Sequence, residues 1–314
     1  MGIRYLNKYL RNNCQEAIKC IPLSELAYKK IAIDTSIYIY RYASENTLIE
    51  SFYLMMGLFR KCNIIPIFIF DGKPPAEKKE LLKYRREIRN QHENEYKQLE
   101  VELEKIDNEY EKRKKITEMN NLKKKITYVT KAQIQNIKDL IIAYGYSYYE
   151  SKGEADSVCA SLTINKTVWA CMSEDMDMFV YGCPRVLRYL SLVNNNIVLY
   201  NIQDILCKLS WNQVEFRQIC ILAGTDYNLL ETDNEHNLYN IIKLFNHYRE
   251  TSYQDSFYIW MKENDYINDY DKILKIDDMF NDIYTTTLGV QIVNGPIIKN
   301  SLRTILKNDG FIFP

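Results

Sequence analysis

Residues 64–71 read Ile64-Ile65-Pro66-Ile67-Phe68-Ile69-Phe70-Asp71, an apolar run that ends on a carboxylate. A short, nearly continuous apolar run bounded by turn residues fits a parallel strand covered on both faces. Three further runs have the same form: Lys30-Ile31-Ala32-Ile33-Asp34, Thr167-Val168-Trp169-Ala170-Cys171 and Val186-Leu187-Arg188-Tyr189-Leu190. Helical stretches lie between them, at roughly residues 45–62, 131–144 and 154–164. Strands alternating with helices predict an α/β fold with a mainly parallel sheet flanked by helices. In such sheets ligands bind beyond the carboxyl ends of the strands. Asp34 and Asp71 directly follow two of the runs, and Asp175 and Asp177 follow a third within a few residues. One Asp in that position is usually a helix N-cap or a turn former. Three strands ending in acid point to a shared site.

Composition narrows the chemistry. The chain has 314 residues, 46% of them hydrophobic, enough for one large domain or two small ones with a sizeable core. No apolar run approaches the roughly 20 residues of a membrane span. The start, Met1-Gly2-Ile3-Arg4, carries no signal-peptide pattern, and Leu6 stands where an acylation motif needs Ser or Thr. The eight cysteines are scattered singly with no CxxC pair, which argues against zinc and against a disulfide framework and for reduced thiols in an intracellular protein. The three histidines, His92, His236 and His247, sit beside no nucleophile or metal pattern, so acidic residues must carry any chemistry. Formal net charge is zero, 41 basic residues against 41 acidic, and gives no whole-chain argument for nucleic acid.

Local charge does give one. From Ala76 to about Tyr144 there is no Gly and no Pro, and charge is dense, which reads as long helices leaving the sheet. The plainer reading is a solvated coiled-coil hairpin. Between Lys73 and Arg89 there are seven basic residues against three acids, and between Lys112 and Lys125 seven against one. Two basic ends around an acidic middle suggest an arch, at about residues 76–131, whose legs or cap touch a phosphate backbone. After Tyr227 the sequence turns irregular, then helical and aromatic.

Seven carboxylates recur in short blocks: Asp34; Asp71 in Phe70-Asp71-Gly72-Lys73-Pro74-Pro75; Glu154 and Asp156 after Gly153; Asp175 and Asp177 in Ser173-Glu174-Asp175-Met176-Asp177; and Asp226 in Gly224-Thr225-Asp226-Tyr227. Acids without His or Cys suit one or two hard cations, and Mg²⁺ keeps several waters and so needs few direct carboxylates. Converging like charges would raise one another's pKa and resist folding without metal. Glu154 and Asp156, two apart, would diverge inside a helix, so they must lie at a loop-to-helix junction. Asp175 and Asp177 fit extended chain at a strand end, with Glu174 turned the other way to serve structure.

With these blocks in order over about residues 1–228, the chain resembles the flap endonuclease family of structure-specific 5′ nucleases, which includes XPG-type repair endonucleases and 5′ exonucleases. The resemblance implies a PIN-like nuclease core over 1–228 with a helical arch, then a C-terminal helical region over 229–314 with a divergent helix–turn–helix-like start. It implies that the seven carboxylates hold two Mg²⁺ ions, with Mn²⁺ able to substitute, and that Gly2 lies close to the site. By distance from Asp71, Lys78 and Arg85 match an arch Lys and Arg that reach the scissile phosphate. Seven apart, they would share one helical face and stabilise a phosphorane-like state. Tyr84 or Arg86 takes Arg85's place if the helix register differs. Tyr40 matches a tyrosine on which a terminal base stacks, a core role being the alternative. Lys125 and Lys131 fall in the basic cap region that receives a 5′ phosphate.

The family's Gly-rich turn, which binds a monovalent cation and grips duplex, corresponds here to Asn228–Tyr239, NLLETDNEHNLY. It has no Gly and carries Glu231, Asp233 and Glu235, so duplex gripping by this turn is expected to be weak. No sliding-clamp docking peptide is legible. The expectation is a metal-dependent nuclease, monomeric and intracellular, at the nucleus or another site of DNA replication, acting on branched or 5′-ended DNA in replication, repair or recombination. Two alternatives stand: a 5′-to-3′ exonuclease acting on RNA or DNA ends, and a non-catalytic nucleic-acid-binding scaffold.

Overall fold

The computed structural model describes residues 2–103, 105–106, 108–228, 237–251, 253–281 and 289–313. The chain opens with α1 (Leu6–Asn13), β1 (Ile18–Pro22), β2 (Lys30–Asp34), α2 (Thr35–Ser44), α3 (Leu48–Lys61) and β3 (Ile65–Phe70). It continues with α4 (Lys79–Leu103), α5 (Glu109–Lys125), α6 (Lys131–Ala143), β4 (Ser147–Glu150), α7 (Ala155–Ile164), β5 (Ala170–Met172) and α8 (Asp177–Val180). Next come β6 (Arg185–Ser191), β7 (Asn196–Asn201), α9 (Ile202–Leu209), α10 (Gln213–Leu222) and α11 (Leu238–Glu250). The last helices are α12 (Phe257–Glu263), α13 (Tyr270–Asn281) and α14 (Lys299–Asn308).

The strands form one sheet in the order β1-β7-β6-β5-β2-β3-β4. From β6 to β4 the pairings are parallel, while β7 runs antiparallel to both β6 and β1. Side-chain alternation explains the unbroken apolar reading of the central strands. Ala32, Ile67 and Ile69 point into one core with α7, α10 and α11, and Ile31, Ile33, Phe68 and Phe70 into another with α2, α3 and α6. The C-terminal helices add Phe245, Trp260 and Phe280 to the first of these cores.

One strand reading and one helix reading shift. The expected run at 167–171 forms strand only over Ala170–Met172, opposite Ile31, Ala32 and Ile33 of β2, and the Trp169 amide before it donates to the Lys30 carbonyl at 2.7 Å. The predicted helix at 45–62 starts at Leu48. The outer strands β1, β4 and β7 and the helices α1 and α2 were not foreseen.

The helices α4 and α5 fold back as a hairpin that stands off the core. Among its described residues only Leu81, Met119 and Leu122 are buried along its helices, and Asn108 caps the start of α5 through the Tyr110 and Glu111 amides. At the far edge the chain covers β4, an edge that would otherwise be open to pairing. The Gly295 amide donates to the Gly145 carbonyl at 2.7 Å, the Val293 amide to Ser147 Oγ at 3.0 Å, and α14 lies on α6. Gly145, at φ +78°, has no room for a Cβ against the Gly295 carbonyl.

Candidate metal centre and nucleic-acid portal

Adjacent strands β5, β2 and β3 bring their carboxyl ends together, and with them the acids. Asp34 is the last residue of β2, Asp71 follows β3, and Asp156 stands in the first turn of α7. Glu154 is the extended N-cap of α7, so the two acids of that block do sit at a loop-to-helix junction. Asp71 Oδ1 accepts from the Ala155 amide at 2.8 Å, a carboxylate at a helix start. Ser173 Oγ donates to Asp34 Oδ2 at 3.0 Å and accepts from the Asp175 amide at 3.0 Å.

One expectation is corrected here. Asp175 and Asp177 do not lie in extended chain: Met176 is helical (φ −79°, ψ −15°) and Asp177 opens α8. The Asp177 amide donates to Asp175 Oδ1 at 2.9 Å, and this tight turn brings both carboxylates against Gly2. A Cβ on Gly2 would collide with Asp175 Oδ1 and Asp177 Oδ1. Glu174 turns away, to Arg188 at 3.7 Å and the Tyr189 amide at 2.6 Å.

The acids feel one another. Burial pushes Asp34 up to about 7, helped by the charges of Asp71 and Asp175. Burial likewise raises Asp156, with Asp34 and Asp175 adding to it, and Asp177, with Asp175 and Asp226 adding to it. Asp175 is raised by burial and by Asp226. Asp177 Oδ1 and Asp226 Oδ1 are buried and make no hydrogen bond. Orphaned carboxylate oxygens within an all-oxygen donor set fit a hard divalent cation. Among the described residues no three His, Cys, Asp or Glu side chains already stand arranged to hold a single ion. A cation that keeps its waters needs no such cage.

Cations from the base of the arch reach into the acids. Lys78 Nζ lies 2.7 Å from Glu154 Oε1 and 3.6 Å from Asp226 Oδ2. It is buried and sits in a 3₁₀ turn, Ala76–Lys78, not on the arch helix as the spacing implied, since α4 begins one residue later. Burial pulls its pKa down, but Glu154, Asp156 and Asp226 outweigh it, and the ammonium is held well above its ordinary value. Arg85, on α4, places its guanidinium 2.9 Å from Asp226 Oδ2. Tyr227 was missed by sequence reasoning. Its hydroxyl donates to Glu154 Oε2 at 2.7 Å and its ring lies 5.0 Å below Lys78 Nζ. Ser173 was missed too. The only signal for either was its place inside an acidic block.

Beside the acids opens a cavity of about 790 Å³ lined by Tyr40, Asp71, Lys78, Arg85, Arg86, Arg89, Lys125 and Glu154, among others. A neighbouring cavity of about 420 Å³ shares Tyr40 and Asp71 and adds Lys131 and Lys138. Tyr40 is 54% exposed where the two meet, which rules out the core role. Most of the Gly-free turn, residues 229–236, lies outside the described residues. No described helix is long and apolar enough to cross a membrane.

Comparison with known proteins follows the same outline. Residues 1–92 match the XPG N-terminal domain and residues 145–226 the XPG I-region. Over 246 residues, 72% of this chain, the sequence is 31% identical to flap endonuclease 1 of Encephalitozoon cuniculi and covers 68% of it. It is 30% identical to flap endonuclease 1 of Zea mays over the same length and spans 62% of that protein. The fold superposes on the catalytic core of Rad2 in complex with DNA substrate at a TM-score of 0.66, over 98% of this chain and 94% of that one, with 19% identity.

Proposed function

The chain belongs to the flap endonuclease family of XPG-type nucleases, and from that premise we propose that it is a divalent-metal-dependent, structure-selective nuclease that hydrolyses DNA at 5′ flaps or 5′ ends. The observation that carries this reading is the meeting of carboxylates from five separate stretches of chain beside a portal lined with cations.

Asp34, Asp71, Glu154, Asp156, Asp175, Asp177 and Asp226 would hold Mg²⁺, as two ions, with Mn²⁺ able to replace it. Bound there, Mg²⁺ would supply a water of lowered pKa and an electrophile for the leaving oxygen. The chain's own groups do the rest. Lys78 and Arg85, paired with Glu154 and Asp226 when no substrate is bound, exchange those partners for the scissile phosphate and offset its developing charge. Tyr227 holds Glu154 in place for that exchange. Tyr40 offers an exposed face to the base beside the cut, and Lys125 and Lys131 take phosphates of the 5′ strand. The protein would act as a monomer on branched or 5′-ended DNA.

A labelled 5′ flap, a blunt duplex and a single-stranded RNA, each with Mg²⁺, Mn²⁺ or chelator, test the reading. Chelator-sensitive cutting of the flap is expected. Cutting confined to RNA ends would move the activity to an exoribonuclease. Binding without cleavage in every metal would leave only a scaffold.

A further inference from the structure

A second group of cations lies outside the portal, on α1 and just before it. Arg4, Lys8 and Arg11 are exposed, and among the described residues none has a carboxylate partner. Lys8 and Arg11, three apart, share the outer face of a helix whose other face buries Leu6 and Leu10. Aromatic rings flank them. Tyr189 lies on β6 with its backbone in the left-handed region, φ +58°, at an irregularity in the pairing with β7. A bulky residue in that conformation is strained and persists only where its surroundings impose it. Here Glu174 accepts from its amide at 2.6 Å, and Asn7 donates to its hydroxyl at 2.9 Å. The result is a partly exposed ring with the Arg188 guanidinium 4.8 Å and the Arg11 guanidinium 5.5 Å from its centre. Tyr5, also left-handed at φ +64° and 56% exposed, packs on Tyr239 at the start of α11.

Resting on the nuclease reading above, we infer that this face of α1, with Tyr189, is a second nucleic-acid contact that carries the duplex backbone leading away from the acid centre. Three observations favour that occupant. The strip begins at the site itself, because Gly2, two residues before Arg4, touches Asp175 and Asp177. Unpaired cations interleaved with rings suit phosphates and sugar or base faces, which an anionic lipid surface or an acidic peptide would use only in part. The helix of eight residues is about 12 Å long, roughly three nucleotides of duplex rise. Such a contact would also supply the grip that the acidic, Gly-free stretch Asn228–Tyr239 is poorly composed to give.

The test measures equilibrium binding of a flap substrate across a salt series in Ca²⁺, alongside single-turnover cleavage at saturating protein in Mg²⁺, for the full chain and for K8A/R11A. The variant should bind roughly tenfold more weakly at 0.1 M salt, and its log affinity against log salt should be shallower by about two, the loss of two phosphate contacts. Its single-turnover rate should stay within twofold. Tyr189→Ala should weaken binding without changing the salt slope. Shortening the downstream duplex to a few base pairs should abolish the difference between the variant and the parent. An unchanged affinity and slope in K8A/R11A, with the parent cleaving normally, overturns this contact and leaves the nuclease intact. So does a variant that keeps its DNA affinity but loses binding to phosphatidylserine vesicles. A parent chain that binds but never cleaves sinks the nuclease reading, while the salt slope still decides the role of α1. A parent chain that neither binds nor cleaves sinks both.

Discussion

Ser173 donates to the Asp34 carboxylate and accepts from the Asp175 backbone amide, so one hydroxyl ties the end of β2 to the turn that carries Asp175. Asp34 illustrates the cost. Its carboxyl, pushed up to about 7 by burial and by Asp71 and Asp175, is raised above its unfolded value near 3.9. A group raised in the folded state contributes stability that is whole below the unfolded pKa and is lost as pH rises through the folded one. In chelator, melting temperature should therefore fall by several degrees between pH 5 and pH 8. Mg²⁺ should restore it at pH 8 and do little at pH 5. A chelated melting curve independent of pH would contradict this account of the centre. Asp175→Ala or Asp71→Ala should abolish cleavage and leave DNA binding measurable, because the cations of the portal remain. Tyr227→Phe removes a donor to a charged acceptor, an interaction worth about 1.5–3 kcal/mol. It should lower the single-turnover rate by roughly tenfold or more while affinity holds. A loss confined to affinity would instead make Tyr227 a binding contact.

At the scale of elements, the α4–α5 hairpin stands apart, joined to the core by few buried side chains and tied to the acids by Lys78 and Arg85. Segments with little buried apolar surface open at low free energy. Amide exchange along the hairpin should be fast in the free protein and slow on binding a flap substrate. Equal exchange in both states would detach the hairpin from substrate. Lys78→Ala should slow single-turnover cleavage by about 10²–10³-fold, as the loss of one stabilising donor does, with little change in binding. A large loss of affinity at an unaltered rate would make Lys78 a positioning contact. Legibility follows the same division. The central strands declare themselves because both faces are covered, so β2 and β3 read as unbroken apolar runs. The outer strands hide: β4 is Ser-Tyr-Tyr-Glu and β1 mixes Lys19 and Cys20 among its apolar residues. The carboxylates were legible because strand ends and helix starts fix where they point. Tyr227 and Ser173 were not, because their roles depend on partners 73 and 139 residues away.

Across the whole molecule, equal numbers of acids and bases conceal a strong separation, with carboxylates gathered at the sheet's edge of chemistry and cations lining the portal around them. DNA affinity should thus be steeply salt-dependent even though net charge is zero. The opposite edge of the sheet is held by a different device. Arg60, at the end of α3, donates to the Tyr144 carbonyl, to the Gly295 carbonyl at 3.0 Å and to Asn294 Oδ1 at 2.8 Å, with its guanidinium 4.5 Å from the Tyr146 ring. One side chain thereby joins α3, the approach to β4 and the chain that covers β4. Arg60→Ala would strand partly buried carbonyls and remove a cation–ring contact, a loss of about 2–4 kcal/mol. Melting temperature should fall by roughly 5–10 °C, while cleavage per folded molecule at 25 °C stays within twofold, since no element of the acid centre leans on Arg60. A variant that melts like the parent would show that the cover over β4 is held without Arg60, by its other hydrogen bonds and the packing of α14 on α6. A variant that melts normally but cleaves slowly would mean that this edge and the acid centre are coupled through the sheet.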